Sequence, residues 1–173
     1  MLILSPFFLI IGLLILYDDG FPIYFTQKRV GKGYTFFKLY KFRTMKTNTP
    51  NIATNLLKNP KKHLLSVGGF LRKLSLDELP NLLNIVKGDM SFIGPRPALY
   101  NQDDLMQLRI NAGVSNLKPG LTGWAQINGR DKLSLAQKVA LEKEYLDKKN
   151  LFFDINIFFR TFIFIFKNKD VNH

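Results

Sequence analysis

Two adjacent carboxylates, Asp77 and Glu78, stand out in a strongly basic chain, because such side chains act as nucleophiles, as proton donors or acceptors and as metal ligands. Further along, Arg96 lies in the stretch Gly94-Pro95-Arg96-Pro97. The proline after Arg96 restricts it to extended conformations, so its guanidinium loses little entropy on binding a phosphate. The stretch therefore fits a phosphate site, and it also fits a rigid turn with an incidental arginine.

The carboxylate pair has two local interpretations. Ser75-Leu76-Asp77-Glu78 matches the Ser-x-x-Glu capping box of a helix start. In that helix Pro80 would disturb the first turn through its ring and its missing N–H. If Pro80 is instead the first helical residue, Asp77 and Glu78 fall in the preceding bend and are available for chemistry. The sequence alone leaves both interpretations open.

Charge and composition limit the class of partner. The 173 residues suit one domain, with 25 lysines and arginines against 13 acidic residues and a net charge of +12. This excess indicates an anionic partner: nucleic acid, acidic lipid or a phosphorylated small molecule. The chain has no cysteine and only two histidines, which excludes disulfides and argues against a zinc site. Any metal should be a hard, oxygen-bound ion such as magnesium.

Both ends of the chain are apolar. Residues 1–16 carry no charge, and as a helix they would extend about 24 Å, short of the ~30 Å hydrocarbon core. Because Pro6 would break or kink this helix, we predict a segment that enters the membrane without crossing it; a buried core helix is the alternative. Residues 151–166 are almost entirely apolar and aromatic and precede lysines, which predicts a position at the membrane interface.

The central residues show shorter patterns. Alternating aromatic and β-branched residues between 20 and 45 predict a β-hairpin whose turn lies near 31–34. A polar, lysine-rich surface loop follows. Beyond it the sequence predicts short helices within 64–76 and at 80–87, an irregular stretch from 95 to 129 punctuated by proline and glycine, and a charged helix within 131–149.

One segment imitates an RNA-binding signature. Residues 32–39, KGYTFFKL, resemble the strand motif of RNA-recognition domains. Thr35, Phe37 and Leu39 each depart from that motif, and no second RNA-binding strand accompanies it. We therefore expect no nucleic-acid partner.

Three segments together resemble one family, the bacterial sugar transferases, which are monotopic phosphoglycosyl transferases. They are FTQKRVGKGYTFFKLYKFRTM, GGFLRKLSLDELPNLLNIVKGDMSFIGPRP and KPGLTGWAQINGR, and the resemblance extends from residue 2 to about 166. It implies an α+β fold that is mainly helical, with a small β-hairpin and interfacial helices, one of them at 151–166. The expected divisions are a partial re-entrant membrane helix at 1–16, a cytoplasmic catalytic core at 17–150, and an aromatic interface segment with a basic tail at 151–173.

The resemblance also implies a reaction. Members of the family move a sugar 1-phosphate from a UDP-sugar to a membrane polyprenyl phosphate (undecaprenyl phosphate) and release UMP. By this resemblance Asp77 is the nucleophile, which forms an aspartyl-phosphosugar intermediate, and Glu78 completes the dyad and helps it to hold Mg²⁺. The residues expected to bind substrate phosphates are Arg72, Arg96, Arg130, Lys41 and Arg43.

The family further implies a site on the cytoplasmic face of the bacterial inner membrane, with membrane lipids and downstream glycosyltransferases as partners. A Ser-Pro pair, here Ser5 and Pro6, breaks the N-terminal helix so that it returns to the same side. Relatives usually have a basic stretch and about a dozen apolar residues before this break, whereas Met1 precedes Ser5 by four positions, so we expect only part of the re-entrant helix.

Glu142 stands where the family would have an aspartate, which makes it a weaker candidate for a functional residue. The alternative function is that of a truncated, inactive copy that acts as a basic membrane-surface or RNA-binding protein.

Overall fold

The computed structural model describes residues 5–50, 59–129 and 132–167. Its backbone contacts divide the chain into two compact units, between which the polypeptide passes more than once. Of the described residues, 5–26, 40–50 and 59–80 belong to the first unit, and 27–39, 81–129 and 132–167 belong to the second.

The first unit is built around an apolar helix and the base of a hairpin. Its helices and strands are α1 (Ser5–Asp19), the outer parts of β1 (Tyr24–Val30) and β2 (Phe36–Phe42), and α2 (Gly68–Lys73), together with short 3₁₀ turns at Pro60–His63 and Leu76–Glu78. Its core consists of Ile11, Ile15, Phe42, Leu65 and Leu71. Most other apolar side chains of α1 are exposed. The helix thus contributes one buried stripe and leaves the rest of its apolar surface uncovered.

Acidic side chains anchor the carboxyl end of α1. The Asp18 carboxylate accepts hydrogen bonds from the backbone N–H and the hydroxyl of Ser66, at 2.5 and 3.0 Å. Asp19 accepts a bond from the Thr47 N–H at 2.8 Å and pairs with Arg43. The Thr47 N–H and then Arg43 hold the pKa of Asp19 below its usual value. These contacts offset the unfavourable placement of acidic groups at a helix C-terminus.

The second unit combines helices with a small parallel sheet. Its elements are α3 (Asn81–Lys87), β3 (Ser91–Ile93), α4 (Asp103–Asn111), β4 (Gly120–Thr122), α5 (Trp124–Ile127), α6 (Leu135–Lys148) and α7 (Leu151–Lys167), and it also contains the tip of the β1–β2 hairpin. Strands β3 and β4 pair in parallel, with Ser91 opposite Gly120. One buried cluster packs Val30 and α4 against Val139 of α6, and another packs β3 against Tyr145 and Ile157.

The structure confirms much of the expected local structure. The hairpin forms with its turn at 31–35, and α2, α3, α6 and α7 form where helices are expected. Helix α1 extends to Asp19, beyond the predicted apolar segment. No helix among the described residues is long and apolar enough to cross a membrane. The fold class is α+β and mainly helical, as expected.

The prediction of irregular structure from 95 to 129 is wrong for α4, β4 and α5. Helix α4 has acidic residues in its first turn and Arg109 in its last turn, which are recognisable helix signals. Strands β3 and β4 are three residues long, and their pairing depends on contacts between distant segments. Local sequence patterns carry no signal for such a pairing.

Neighbouring glycines at the start of α2 allow a matched test of packing. A Cβ atom on Gly68 would collide with the Thr44 carbonyl oxygen, whereas nothing lies within 4 Å of a Cβ on Gly69. We expect Gly68→Ala to lower the free energy of unfolding by about 1–3 kcal/mol, as overpacking does, and Gly69→Ala to raise it by up to about 1 kcal/mol. Chemical denaturation in detergent measures both. Equal stability of the two variants would contradict the close contact.

Candidate functional site

The carboxylate pair lies in a tight turn that is not a helix cap. Asp77 and Glu78 belong to the 3₁₀ turn Leu76–Glu78. Ser75 before it has a left-handed backbone (φ 55°) and makes no capping hydrogen bond through its side chain, so the capping box does not form. Pro80 directly precedes α3. The structure therefore supports the second interpretation, in which the carboxylates fall in the bend before the helix.

Within this turn the two carboxylates have different surroundings. Asp77 is only 9% exposed. The Glu78 carboxylate forms an ion pair with Lys41 of β2, with 2.7 Å between Nζ and Oε1. Both side chains of that pair are largely shielded from solvent, so the pair is screened less than a surface salt bridge. The structure thus brings Lys41 to the turn, and phosphate binding by Lys41 stays a prediction.

Arg72 of α2 is a cation on which the charge of Asp77 acts. Its Nε donates a hydrogen bond to the Thr44 hydroxyl at 2.8 Å. Burial lowers the pKa of its guanidinium, and the nearby Asp77 carboxylate acts in the opposite direction. Within the described part of the chain, its two Nη groups donate to no protein acceptor. This edge of a guanidinium is the one that binds phosphate through two parallel hydrogen bonds.

Arg43 has a different environment from Arg72. It is 5% exposed, and its three nitrogen atoms donate to Pro22 O, to Gly20 O and to the carbonyl and carboxylate of Asp19. These contacts fasten β2 to the carboxyl end of α1. Arg43 is therefore a structural residue. Phosphate binding by Arg43 stays a prediction, and these hydrogen bonds do not favour it.

In the second unit, the stretch around Arg96 is held at every residue. Backbone groups of five consecutive residues are bonded to other segments at 2.9–3.0 Å: Gly94 N to Thr122 O, Pro95 O to Gly120 N, Arg96 O to Arg109 Nη2, Pro97 O to Arg29 Nη1, and Ala98 O to Val30 N. The stretch has no regular secondary structure beyond a bend. Its rigidity therefore comes from these bonds as well as from its prolines.

Glycines bring a second segment against this stretch. A Cβ on Gly94 would collide with the Lys118 carbonyl oxygen, and a Cβ on Gly120 would collide with the Gly94 nitrogen. A Cβ on Gly123 would collide with the Gly94 carbonyl oxygen. The segment KPGLTGW is thus rich in glycine because two backbones meet there without side chains between them.

A buried ion pair between Arg109 and Glu142 supports the Arg96 backbone. Sequence reasoning singled out Glu142 and missed Arg109. Arg109 of α4 and Glu142 of α6 are 5% and 2% exposed and form two hydrogen bonds, at 2.8 and 2.5 Å. The same Arg109 side chain bonds the Arg96 carbonyl. Glu142 was a weak candidate from the resemblance. At Arg109 the sequence offers only one signal, a basic residue in the last turn of a helix.

The remaining predicted residues are less informative. Arg130 lies outside the described residues. Ser5 and Pro6 are the first two residues of α1, and because the residues before them are also outside the described part, the helix break stays a prediction.

Among the described residues no three acidic or histidine side chains are grouped so that they could hold a metal by themselves. Asp77 and Glu78 supply the one or two carboxylates that magnesium takes when substrate phosphates provide further ligands, so they fit this ion.

Comparison with known proteins agrees with the resemblance. A family model described as bacterial sugar transferase matches residues 1–168. The chain is 39% identical to the exopolysaccharide production protein ExoY of Rhizobium meliloti, over 93% of this chain and 77% of that protein. It is 45% identical to the uncharacterized sugar transferase EpsL of Bacillus subtilis, over 80% of this chain and 67% of that protein.

A longer relative is named for its reaction. The chain is 37% identical to the UDP-glucose:undecaprenyl-phosphate glucose-1-phosphate transferase of Escherichia coli K12, over 98% of this chain. The matched part is 38% of that protein, so the chain spans less than half of its length.

The buried pair behind Arg96 can be tested against an exposed pair on the same helix. We expect Glu142→Ala to lower the free energy of unfolding by about 3–5 kcal/mol, because it leaves the Arg109 charge buried without its partner. Asp147, which pairs with Lys143 at the surface, is the control, and Asp147→Ala should cost about 1 kcal/mol or less. Denaturant titration of both variants measures the difference. A loss for Glu142→Ala no greater than the control's would refute a buried structural pair.

Proposed function

The chain belongs to the bacterial sugar transferase family, and from this premise we propose that it transfers a sugar 1-phosphate from a UDP-sugar to undecaprenyl phosphate and releases UMP. The E. coli relative is named for this donor class and this acceptor. The observation that carries the proposal is one 3₁₀ turn that presents the mostly buried Asp77 next to Glu78, which is paired with Lys41. The half-buried Arg72 is close enough for the Asp77 carboxylate to raise the pKa of its guanidinium. Neighbouring cations of this kind offset the repulsion that a carboxylate nucleophile meets from a diphosphate.

The proposed chemistry has two steps. A carboxylate oxygen of Asp77 attacks the β-phosphorus of the UDP-sugar, and the bond from that phosphorus to the bridging oxygen breaks. UMP leaves with the bridging oxygen and its electron pair, and the phosphosugar stays on Asp77 as an acyl phosphate. A phosphate oxygen of undecaprenyl phosphate then attacks the same phosphorus and frees the Asp77 carboxylate. The covalent intermediate predicts ping-pong kinetics.

Electrostatics explains the neighbouring cations. A carboxylate that approaches a diphosphate to about 4 Å meets roughly 4 kcal/mol of repulsion per charge pair at an effective dielectric constant of 20. The Nη edge of Arg72 would bind the phosphate oxygens and lower this repulsion. Lys41 holds Glu78 in place through their ion pair. Arg96 and Arg130 remain proposed phosphate ligands.

Magnesium is proposed as the cofactor, held by Asp77 and Glu78. When bound, it would neutralise charge on the diphosphate and on the departing UMP. The chain's own contribution is to present two neighbouring carboxylates from one turn, with Glu78 oriented by Lys41 and Asp77 mostly shielded from water.

We further propose a monotopic position on the cytoplasmic face of the inner membrane. In α7, Ile157 is fully buried while Phe152 is 84% exposed, and the exposed residues on this helix are mostly apolar: Leu151, Phe152, Ile155, Phe158, Phe159, Phe162 and Ile163. A helix with such a face lies in the membrane interface. The net charge of +12 would add attraction to anionic lipids. The helix break at Ser5 and Pro6 belongs to this proposal.

Removal of the nucleophile is the direct test of the reaction. We expect Asp77→Asn to lower UMP release by at least about a thousandfold, because an amide cannot form the acyl phosphate. Detergent-solubilised protein would be incubated with a panel of UDP-sugars, Mg²⁺ and a short polyprenyl phosphate. Asp147→Asn on the exposed face of α6 is the control and should release UMP at the normal rate.

The same assay can reveal the intermediate. Without the lipid acceptor, a UDP-sugar with a radiolabelled β-phosphate should label wild-type protein and not the Asp77→Asn variant. UMP release that survives in Asp77→Asn would remove Asp77 from the mechanism. Failure of the wild type to release UMP from any UDP-sugar would argue against the proposed reaction.

Membrane binding can be tested on α7. We expect Phe152→Ser and Phe159→Ser to weaken binding to vesicles of phosphatidylglycerol and phosphatidylethanolamine by about tenfold or more each, because each change removes a phenylalanine that would be buried in lipid. Phe92→Ser, at an exposed position in β3, is the matched control for a general loss of hydrophobicity. Sedimentation with vesicles measures the bound fraction. An equal effect at all three positions would contradict a specific role of α7.

A further inference from the structure

Thr44 has no assigned part in the reaction, yet it contacts the cation beside the proposed nucleophile. We propose that Thr44 is a positioning residue: its hydroxyl fixes the Arg72 guanidinium so that the Nη edge is presented to the phosphates of the substrate. This inference rests on the proposed function. It concerns the orientation of Arg72 and assigns Thr44 no contact with substrate.

The contact itself is well defined. The Thr44 hydroxyl accepts a hydrogen bond from Nε of Arg72 at 2.8 Å. Thr44 is 6% exposed, so water has little access to compete for this bond. A hydrogen bond with a charged donor in a shielded position is stronger than one between neutral groups. The bond therefore restricts the rotation of a long side chain that would otherwise sample many rotamers.

The backbone of Thr44 is also held. Its carbonyl oxygen accepts a hydrogen bond from the Leu65 N–H at 3.0 Å, and Gly68 packs directly against the same carbonyl. Arg43, the preceding residue, is fastened to the carboxyl end of α1. The hydroxyl is thus presented from a backbone that is fixed on both sides. A rigid support of this kind is needed to hold a functional group in productive geometry.

The hydrogen bond from Arg72 to Thr44 uses the nitrogen that leaves the phosphate-binding edge of the guanidinium available. Thr44 engages Nε, and within the described residues the Nη groups have no protein acceptor. The two Nη groups form the edge that binds a phosphate through parallel hydrogen bonds. Orienting this edge in advance removes part of the entropy cost of substrate binding. Burial lowers the pKa of the same guanidinium and the Asp77 carboxylate raises it, as expected for a cation close to the proposed nucleophile.

The first experiment compares Thr44→Val with Thr44→Ser. Valine keeps the shape and removes the acceptor, so we expect kcat/KM for UMP release to fall by about tenfold or more, the usual effect of losing a hydrogen bond to a charged group. Serine keeps the hydroxyl and should stay within about threefold of wild type. Thr35→Val is the control, because the exposed Thr35 hydroxyl bonds only locally, to Lys32 O. Thermal unfolding checks that all variants are folded.

The second experiment shows whether Thr44 acts through Arg72. In protein with Asp77 intact, calorimetry would measure the affinity for UDP with Mg²⁺, because UDP carries no sugar to transfer and is not turned over. Thr44→Val should weaken this affinity, and it should cause no further loss when Arg72→Ala is already present. A general structural role of Thr44 would cause the same loss with and without Arg72, and that result would overturn the inference. Thr44→Ala replaces Thr44→Val if the valine variant does not fold.

The outcomes separate the inference from the proposed function. If wild type turns over and Thr44→Val matches Thr44→Ser in kcat/KM, the inference is wrong and the proposed function stands. If wild type turns over no UDP-sugar, the proposed function fails. The calorimetric cycle with UDP then decides the positioning role by itself.

Discussion

Guanidinium groups bonded to protein oxygen atoms hold irregular stretches of this chain to its helices and strands. Arg43 joins β2 to the end of α1, and Arg109 joins α4 and α6 to the stretch that carries Arg96. Arg29 bonds the neighbouring carbonyl of Pro97. An arginine suits this role because it remains charged when buried and its donors point in several fixed directions. The stretch around Arg96 thereby obtains a fixed backbone although it belongs to no helix or strand.

This use of arginine changes the meaning of the basic composition. The excess of positive charge indicates an anionic partner, but Arg43 and Arg109 are committed to oxygen atoms of the protein. Arg72 differs, because the protein engages only one of its nitrogen atoms within the described residues. The hydrogen-bond pattern, and not the residue type, thus separates structural cations from candidate phosphate ligands.

The apolar surface has a similar division of roles. One stripe of α1 and one face of α7 are buried in their own units, while the remaining apolar side chains of both helices are exposed. Large exposed apolar faces mark interaction sites in proteins. The uncovered apolar faces of these helices are therefore consistent with the proposed position at a membrane.

The sequence by itself determined the family, the fold class, the hairpin and the helices α2, α3, α6 and α7, because periodicity, glycine and proline act over a few neighbouring residues. It also singled out Asp77, Glu78 and the stretch around Arg96. Only the tertiary structure decided that Ser75 does not cap a helix and that Arg43 faces the end of α1. The sequence also did not indicate two long-range contacts. Arg109 pairs with Glu142, 33 positions away, and Arg72 bonds Thr44, 28 positions away. These contacts join segments that are distant in the chain, and no local pattern records which distant group a side chain will meet.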